Sequence, residues 1–161
     1  MLFLASTLLH GSLAKGKFNS ILEKFDYCAI YMLIAGTYTP FALIALKNNG
    51  GHLIFATIWV FASLGILYQL FFINKFKFFS NLTYLGMGWL ILPVIMPLVK
   101  NLPSISFTLL VIGGLLYTVG LPFFALDKKF KFNHGIWHLF VLGASGCLYG
   151  SILTMLNGNF N

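Results

Sequence analysis

Hydrophobic residues occur in five long runs that are separated by short polar segments. The runs cover residues 27–46, 53–73, 82–99, 105–126 and 134–156, and none of them contains a Lys, Glu or Asp. Because about 20 apolar residues carry a helix across a bilayer, each run predicts a transmembrane helix. The connections are short, so consecutive helices are expected to be antiparallel neighbours. The pattern predicts an all-α, polytopic transmembrane helix bundle that forms a single domain over residues 1–161.

A sixth apolar run, Leu2 to Ala14, is only thirteen residues long. At 1.5 Å per residue it reaches about 20 Å, which is short of the roughly 30 Å hydrocarbon core. The first lysines, Lys15 and Lys17, come after this run, whereas a secretory signal peptide carries its positive charge before the apolar stretch. We interpret the run as the later part of a spanning helix. The codons upstream of Met1 are expected to encode about 50 further residues, with one more apolar run of about 20.

Composition supports the membrane assignment and excludes other classes of protein. The chain is 59% hydrophobic and 8% charged, whereas soluble domains carry about 25% charged residues. Its mean hydropathy is +0.90. These values exclude a soluble domain, a disordered chain and a nucleic-acid-binding module, and they make membrane lipids the expected partners.

The net charge of +7 reflects topology rather than an acidic partner. All ten basic residues are lysines, they lie between the apolar runs, and the acids are only Glu23, Asp26 and Asp127. On one side of the membrane lie the eight lysines at positions 15, 17, 24, 75, 77, 128, 129 and 131, and on the other lie Lys47 and Lys100. The positive-inside rule places the eight in the cytoplasm and the C-terminus outside.

Proline and glycine mark expected irregularities and contacts of the helices. Prolines 40, 93, 97 and 122 fall within or at the edge of runs, where membrane helices tolerate them as kinks. Gly146 and Gly150 form a G-x-x-x-G pattern, which permits close helix contact. In a polytopic bundle this pattern favours packing inside the bundle over dimerisation.

Three histidines and one aspartate are expected at the same depth in the membrane. His134 and His138 have the i, i+4 spacing that chelates a metal, and His10 lies near the same side in the first run. Asp26 opens the second run on that side, and Ser6 shares a helix face with His10. Three ligands and one open position are the arrangement of catalytic zinc. The alternative is a set of interfacial histidines with a serine that bonds its own helix, but ionisable groups in membrane helices usually mark function.

Two other features limit the chemistry. Gly135 stands where a metalloprotease of the H-E-x-x-H type has Glu, so that chemistry is excluded. His52 follows Asn48-Asn49-Gly50-Gly51 on the opposite side and is expected to be a solvated loop residue.

Three sequence blocks together resemble the hemolysin III family, the bacterial branch of the progestin and adiponectin receptor group. The blocks are Ser6-Thr7-Leu8-Leu9-His10, then Asp26 followed by Ala35-Gly36-Thr37-Tyr38-Thr39-Pro40, and finally His134 through His138. They occur in the order of the family pattern, and the resemblance covers essentially the whole chain.

The resemblance implies a seven-helix bundle in a bacterial cell (inner) membrane, with its N-terminus inside and its C-terminus outside. It implies that His10, His134 and His138 hold a zinc ion near the cytoplasmic side, that Asp26 contacts the metal-bound water, and that Ser6 lies beside it. The chain differs from the family pattern in its N-terminal region. It has five full spans and a partial first span, so the first family helix and part of the second are absent.

The resemblance also indicates a function. The related alkaline ceramidases have a similar ligand set and cleave lipid amides, so the first hypothesis is a zinc-dependent lipid amide hydrolase. The alternative is a non-enzymatic membrane-stress, haemolytic or pore-like protein with structural zinc, and a weaker third reading is a receptor or transporter. The sequence leaves the substrate and the oligomeric state open.

Overall fold

A computed structural model describes residues 17–72, 77–126 and 132–158, and it confirms the all-α class because these residues form helices and no strand. Two short irregular turns interrupt the helices. The elements are α1 (Lys17–Pro40), a π-helical turn (Phe41–Ala45), α2 (Gly51–Phe72), α3 (Lys77–Trp89), a 3-10 turn (Leu92–Val94), α4 (Ile95–Asn101), α5 (Ser104–Ala125) and α6 (Asn133–Gly158).

Five stretches of the described chain are long and apolar enough to cross a membrane, which confirms the five predicted spans. They are 21 to 24 residues long and comprise Lys24–Ala45, Gly51–Phe71, Ser80–Asn101, Ser104–Ala125 and Gly135–Gly158. Large apolar side chains cover their outer surfaces; Phe71, for example, is 77% exposed and Leu139 is 70% exposed. Such a surface is stable only against lipid. The run from Leu2 to Ala14 lies outside the described residues.

Proline breaks the third span rather than only bending it. The helix α3 ends at Trp89, a 3-10 turn surrounds Pro93, and α4 resumes at Ile95. Proline has no N–H to donate, and its ring clashes with the carbonyl one turn back. Pro40 acts differently: it is followed by the π-helical turn, which closes with a 3.0 Å bond from the Leu46 N–H to the Phe41 carbonyl. Pro122 lies inside α5 without a break.

The turn between the first two spans depends on two glycines. Gly50 has φ +78°, a left-handed conformation that side chains other than glycine rarely adopt. A Cβ atom on Gly51 would collide with the carbonyl oxygen of Ala42, so only glycine lets α2 start this close to the π-helical turn. His52 is exposed, as expected for this side, but it lies in the first turn of α2 rather than in a loop.

The helices α5 and α6 pack closely along a line of small residues. On α5 these are Ser106, Gly113 and Gly120, spaced seven apart, and on α6 they meet Ser151, Ala144 and Trp137 in antiparallel order. The Ser106 Oγ donates to the Ser151 carbonyl at 2.8 Å, and the Ser151 Oγ donates to the Ser106 carbonyl at 2.7 Å. Small residues let backbones approach where lipid supplies no hydrophobic driving force between helices.

The predicted G-x-x-x-G pattern contributes only in part to this packing. A Cβ on Gly150 would lie 3.3 Å from the Leu109 Cδ1, whereas a Cβ on Gly146 would meet nothing within 4 Å. Gly150 therefore faces α5 inside the bundle, and Gly146 lies on the exposed side of α6.

Candidate functional site

One end of the bundle, here called the lysine-rich end, is where α1, α3 and α6 begin and where α2 and α5 end. An aromatic cluster joins the helices there. The rings of Tyr27 and Phe124 have centroids 5.7 Å apart, and those of Phe124 and Trp137 are 5.1 Å apart. Tyr27 directly follows Asp26, and Trp137 directly precedes His138. The cluster therefore links the Asp26 turn of α1 to the His138 turn of α6 through Phe124 of α5.

The structure buries Asp26. Its side chain is 6% exposed, and His138 is half-buried on α6. A buried carboxyl group in a membrane helix costs free energy unless its surroundings compensate for lost hydration, so such groups usually serve a function. The Asp26 side chain is therefore packed inside the bundle and is not exposed on its surface.

The predicted metal ligands are described only in part. His134 and His138 both lie in the continuous helix α6, one turn apart, as the chelating spacing requires. The side chain of His134, together with His10 and Ser6, lies outside the described residues. Within 17–72, 77–126 and 132–158, no three His, Cys, Asp or Glu side chains form a group that could hold a metal ion. Since two of the three predicted ligands fall outside that set, the zinc site stays a prediction.

A buried polar network lies beside Asp26, and sequence analysis missed it. Gln69 of α2 is 2% exposed, and its Nε2 donates to the Ser80 Oγ at 2.7 Å and to the Tyr84 hydroxyl at 3.3 Å. The Tyr84 hydroxyl in turn donates to the Tyr27 carbonyl at 3.1 Å. The network ties α1, α2 and α3 together at the turn that follows Asp26. The signal in the sequence was a single Gln inside an apolar run, because a polar side chain that faces lipid costs free energy.

A cavity of about 220 Å³ extends from this end into the bundle between α1, α3, α5 and α6. Its lining includes Ile30, one turn after Asp26, and Trp137, next to His138, and it continues to Leu98 and Phe107 near the opposite end. Nearly all of the lining side chains are apolar. The lining does not include Asp26, which lies on α1 one turn before the first lining residue of that helix. The cavity itself is suited to a hydrocarbon chain.

Comparisons with known proteins give consistent matches. The family model described as "Haemolysin-III related" matches residues 1–149. The chain is 48% identical over 153 residues to "Hemolysin-3" of Bacillus cereus, which covers 95% of this chain and 69% of that protein. It is 45% identical over 153 residues to "Hemolysin-3 homolog" of Bacillus subtilis (strain 168), and this match covers 95% of this chain and 71% of that protein. It is 33% identical over 156 residues to the human "Monocyte to macrophage differentiation factor", and this match covers 94% of this chain and 64% of that protein. No solved structure gives a significant match.

Proposed function

The chain belongs to the Haemolysin-III related family of integral membrane proteins, and from that premise we propose that it is a zinc-dependent hydrolase of lipid amides. The family matches confirm the resemblance found in the sequence, and the human relative supports the relation to the progestin and adiponectin receptor group. The proposed site lies at the lysine-rich end of the bundle.

The observation that carries the proposal is the buried Asp26 carboxyl group, which lies on α1 one turn away from the apolar cavity. Ile30 lines the cavity one turn after Asp26, so a hydrocarbon chain in this space would present its polar head to Asp26. A lipid amide has this shape, with an apolar tail and one reactive polar group near its end. The cavity thus supports a lipid substrate, and the carboxyl group supports proton transfer.

The residues that would hold zinc are His10, His134 and His138. The helical spacing of the last two fits a chelating pair, and three protein ligands are the number that catalytic zinc uses. When bound, zinc supplies Lewis-acid chemistry that makes water a nucleophile at neutral pH.

The chain's own groups would carry the proton and the charge of the reaction. As water adds to the amide carbonyl carbon, the Asp26 carboxylate takes its proton. The same proton then passes to the departing amine nitrogen as the carbon–nitrogen bond breaks, which leaves a fatty acid and an amine. Ser6 would donate a hydrogen bond to the oxygen on which negative charge develops.

The name of the Bacillus cereus relative favours a second candidate function, that of a haemolytic or pore-like protein whose zinc is structural. Structural zinc normally has four protein ligands, whereas this chain offers three histidines, so the hydrolase is preferred. Dye release from lipid vesicles tests the second candidate. Leakage caused by a zinc-loaded chain that does not hydrolyse lipid amides would replace the first proposal by the second.

Metal analysis and an amide hydrolysis assay on the purified full chain test the first proposal. We expect about one zinc per chain, as a three-ligand site implies. His138→Ala should lose most of the metal because no spare ligand exists, whereas His52→Ala, at the opposite end, should keep it. Asp26→Asn should keep the metal and lower the rate of hydrolysis by about 10²–10⁴-fold, the range for one acid–base group.

Two results would contradict the hydrolase. If the folded wild-type chain binds no zinc, the proposed metal site does not exist. If the Asp26→Asn variant is as active as wild type, the carboxylate takes no part in the reaction.

A further inference from the structure

A second cavity opens on the lipid-facing surface between α2 and α3. This groove has a volume of about 580 Å³. It shares no lining residue with the cavity between α1, α3, α5 and α6, here called the central cavity. Its floor is the ring of Tyr31 from α1, which lies so close to Gly65 that a Cβ there would collide with it. Phe61, Leu64 and Leu82 form its exposed rims. The groove is therefore built from three helices and open to the bilayer.

The length and position of the groove match one leaflet of a membrane. Its lining runs from Phe61 to Tyr68 on α2 and from Leu82 on α3 to Leu90 just after that helix, which corresponds to about 10–12 Å along each span. Half of the hydrocarbon core is about 15 Å thick. Tyr68 and Leu82 lie near the lysine-rich end, where α2 finishes and α3 starts. The groove thus covers most of the apolar depth of the leaflet on that side.

A positive charge stands at the surface end of the groove. The Lys24 Nζ donates to the Leu70 carbonyl at 2.9 Å, two residues beyond the groove residue Tyr68. Lys24 also precedes Tyr31 by seven residues, so the two share a face of α1, two turns apart. An ammonium group has three N–H donors, and the Leu70 carbonyl takes one of them. The segments assigned to this end carry eight lysines against three acids, which attracts anionic lipid headgroups.

We propose that the groove binds one acyl chain of an anionic glycerophospholipid whose phosphate lies at Lys24. The apolar lining accommodates the acyl chain, and the leaflet-deep length sets the headgroup at the level of Lys24. The charge at that end selects an anionic over a zwitterionic headgroup. This lipid site is separate from the central cavity and does not depend on zinc or on hydrolysis.

Photo-crosslinking in nanodiscs tests the proposal on the full chain. The probe is phosphatidylglycerol with a photoreactive diazirine on its acyl chain, present as a trace in phosphatidylcholine, and crosslinked residues are mapped by mass spectrometry. We expect the crosslinks to concentrate on 61–68 and 82–90. Replacing part of the phosphatidylcholine with unlabelled phosphatidylglycerol should lower this crosslinking more than replacing the same part with zwitterionic phosphatidylethanolamine does. Crosslinks spread evenly over the exposed faces of all spans, or equal competition by the two lipids, would overturn the proposal.

Two variants separate the groove from general lipid contact. Gly86→Leu fills the groove, because a Cβ at Gly86 meets nothing within 4 Å. Gly146→Leu is the matched control, because Gly146 is equally open but lines neither cavity. We expect a strong fall in crosslinking for Gly86→Leu only, and an equal fall for both would contradict a specific site.

Lys24→Gln leaves the groove intact and removes its charge. It should lower the preference for phosphatidylglycerol over phosphatidylethanolamine by about fivefold, as expected for one lysine at an anionic surface. This variant decides the question if Gly86→Leu does not fold, because an unchanged preference would overturn the role of Lys24.

Discussion

Gly120→Ala is expected to destabilise the bundle because α5 and α6 have no room for one more carbon atom at this position. The added Cβ would lie 2.7 Å from the Phe140 Cβ and 3.1 Å from the Trp137 Cε3. The Phe140 Cβ is attached directly to the backbone and cannot rotate away, so the two helices must separate. Overpacking of this kind costs about 1–3 kcal/mol. Alanine also gains about 1 kcal/mol of helix propensity over glycine, which offsets part of this cost.

Gly114→Ala supplies the matched control on the same helix. A Cβ at Gly114 meets nothing within 4 Å, so this variant gains the helix propensity without a clash. The difference in unfolding free energy between the two variants therefore isolates the overpacking cost, about 1–3 kcal/mol. Gly113→Ala should fall between them, because its nearest contact at 2.8 Å is the Leu148 Cγ, in a side chain that can change rotamer.

Unfolding in mixed micelles, followed by tryptophan fluorescence during titration with a denaturing detergent, measures these differences. In thermal unfolding the gap between Gly120→Ala and Gly114→Ala corresponds to roughly 2–12 °C for a chain of this size. Equal stability of the two variants would refute the reasoning, since it would mean that α5 and α6 are not in close contact at Gly120.

Three further predictions follow from buried polar contacts and from the charge pattern. Gln69→Leu should lower the unfolding free energy by about 1–3 kcal/mol, because the Tyr84 hydroxyl loses a buried partner; no loss in the same titration would contradict the network. Ser106→Ala should cost about 0.6–1.7 kcal/mol, and combining it with Ser151→Ala should cost less than the sum, because the two hydroxyls lie 3.1 Å apart. A reporter fused after Asn161 should read as external, and a cytoplasmic reading there would reverse the assigned orientation.

The sequence alone determined how many spans this part of the chain has and where they lie. The predicted run 105–126 differs by one residue at each end from the span Ser104–Ala125, and 53–73 lies within two residues of Gly51–Phe71. The physical reason is that a bilayer of fixed thickness demands about 20 apolar residues per helix and excludes charge from their interiors. The family could also be identified from the sequence, because three spaced motifs together are specific where each alone is weak.

Only the tertiary structure decided which faces of these helices meet each other. In a membrane, lipid is as apolar as the protein interior, so hydrophobicity does not distinguish a buried face from a lipid-facing one. The glycine pattern at Gly146 and Gly150 was visible in the sequence, yet an added Cβ would come closest to the facing helix at Gly113 and Gly120. The 3-10 turn at Pro93 likewise replaced an expected kink, because a backbone break needs neighbouring groups that the local sequence does not specify.

For the candidate site, too, some features could be predicted from the sequence and others depended on the tertiary structure. Its acid and its histidine pair were proposed from the sequence, because ionisable residues stand out in apolar runs. The burial of Asp26, the Gln69 network beside it and the cavity one turn away came only from the packing of helices that are distant in sequence. A hydrogen bond such as that between Tyr84 and Tyr27 joins residues 57 positions apart. Local propensity and hydrophobic periodicity carry no information about such pairs, because both are properties of a single helix, whereas the contact depends on how two helices are placed against each other.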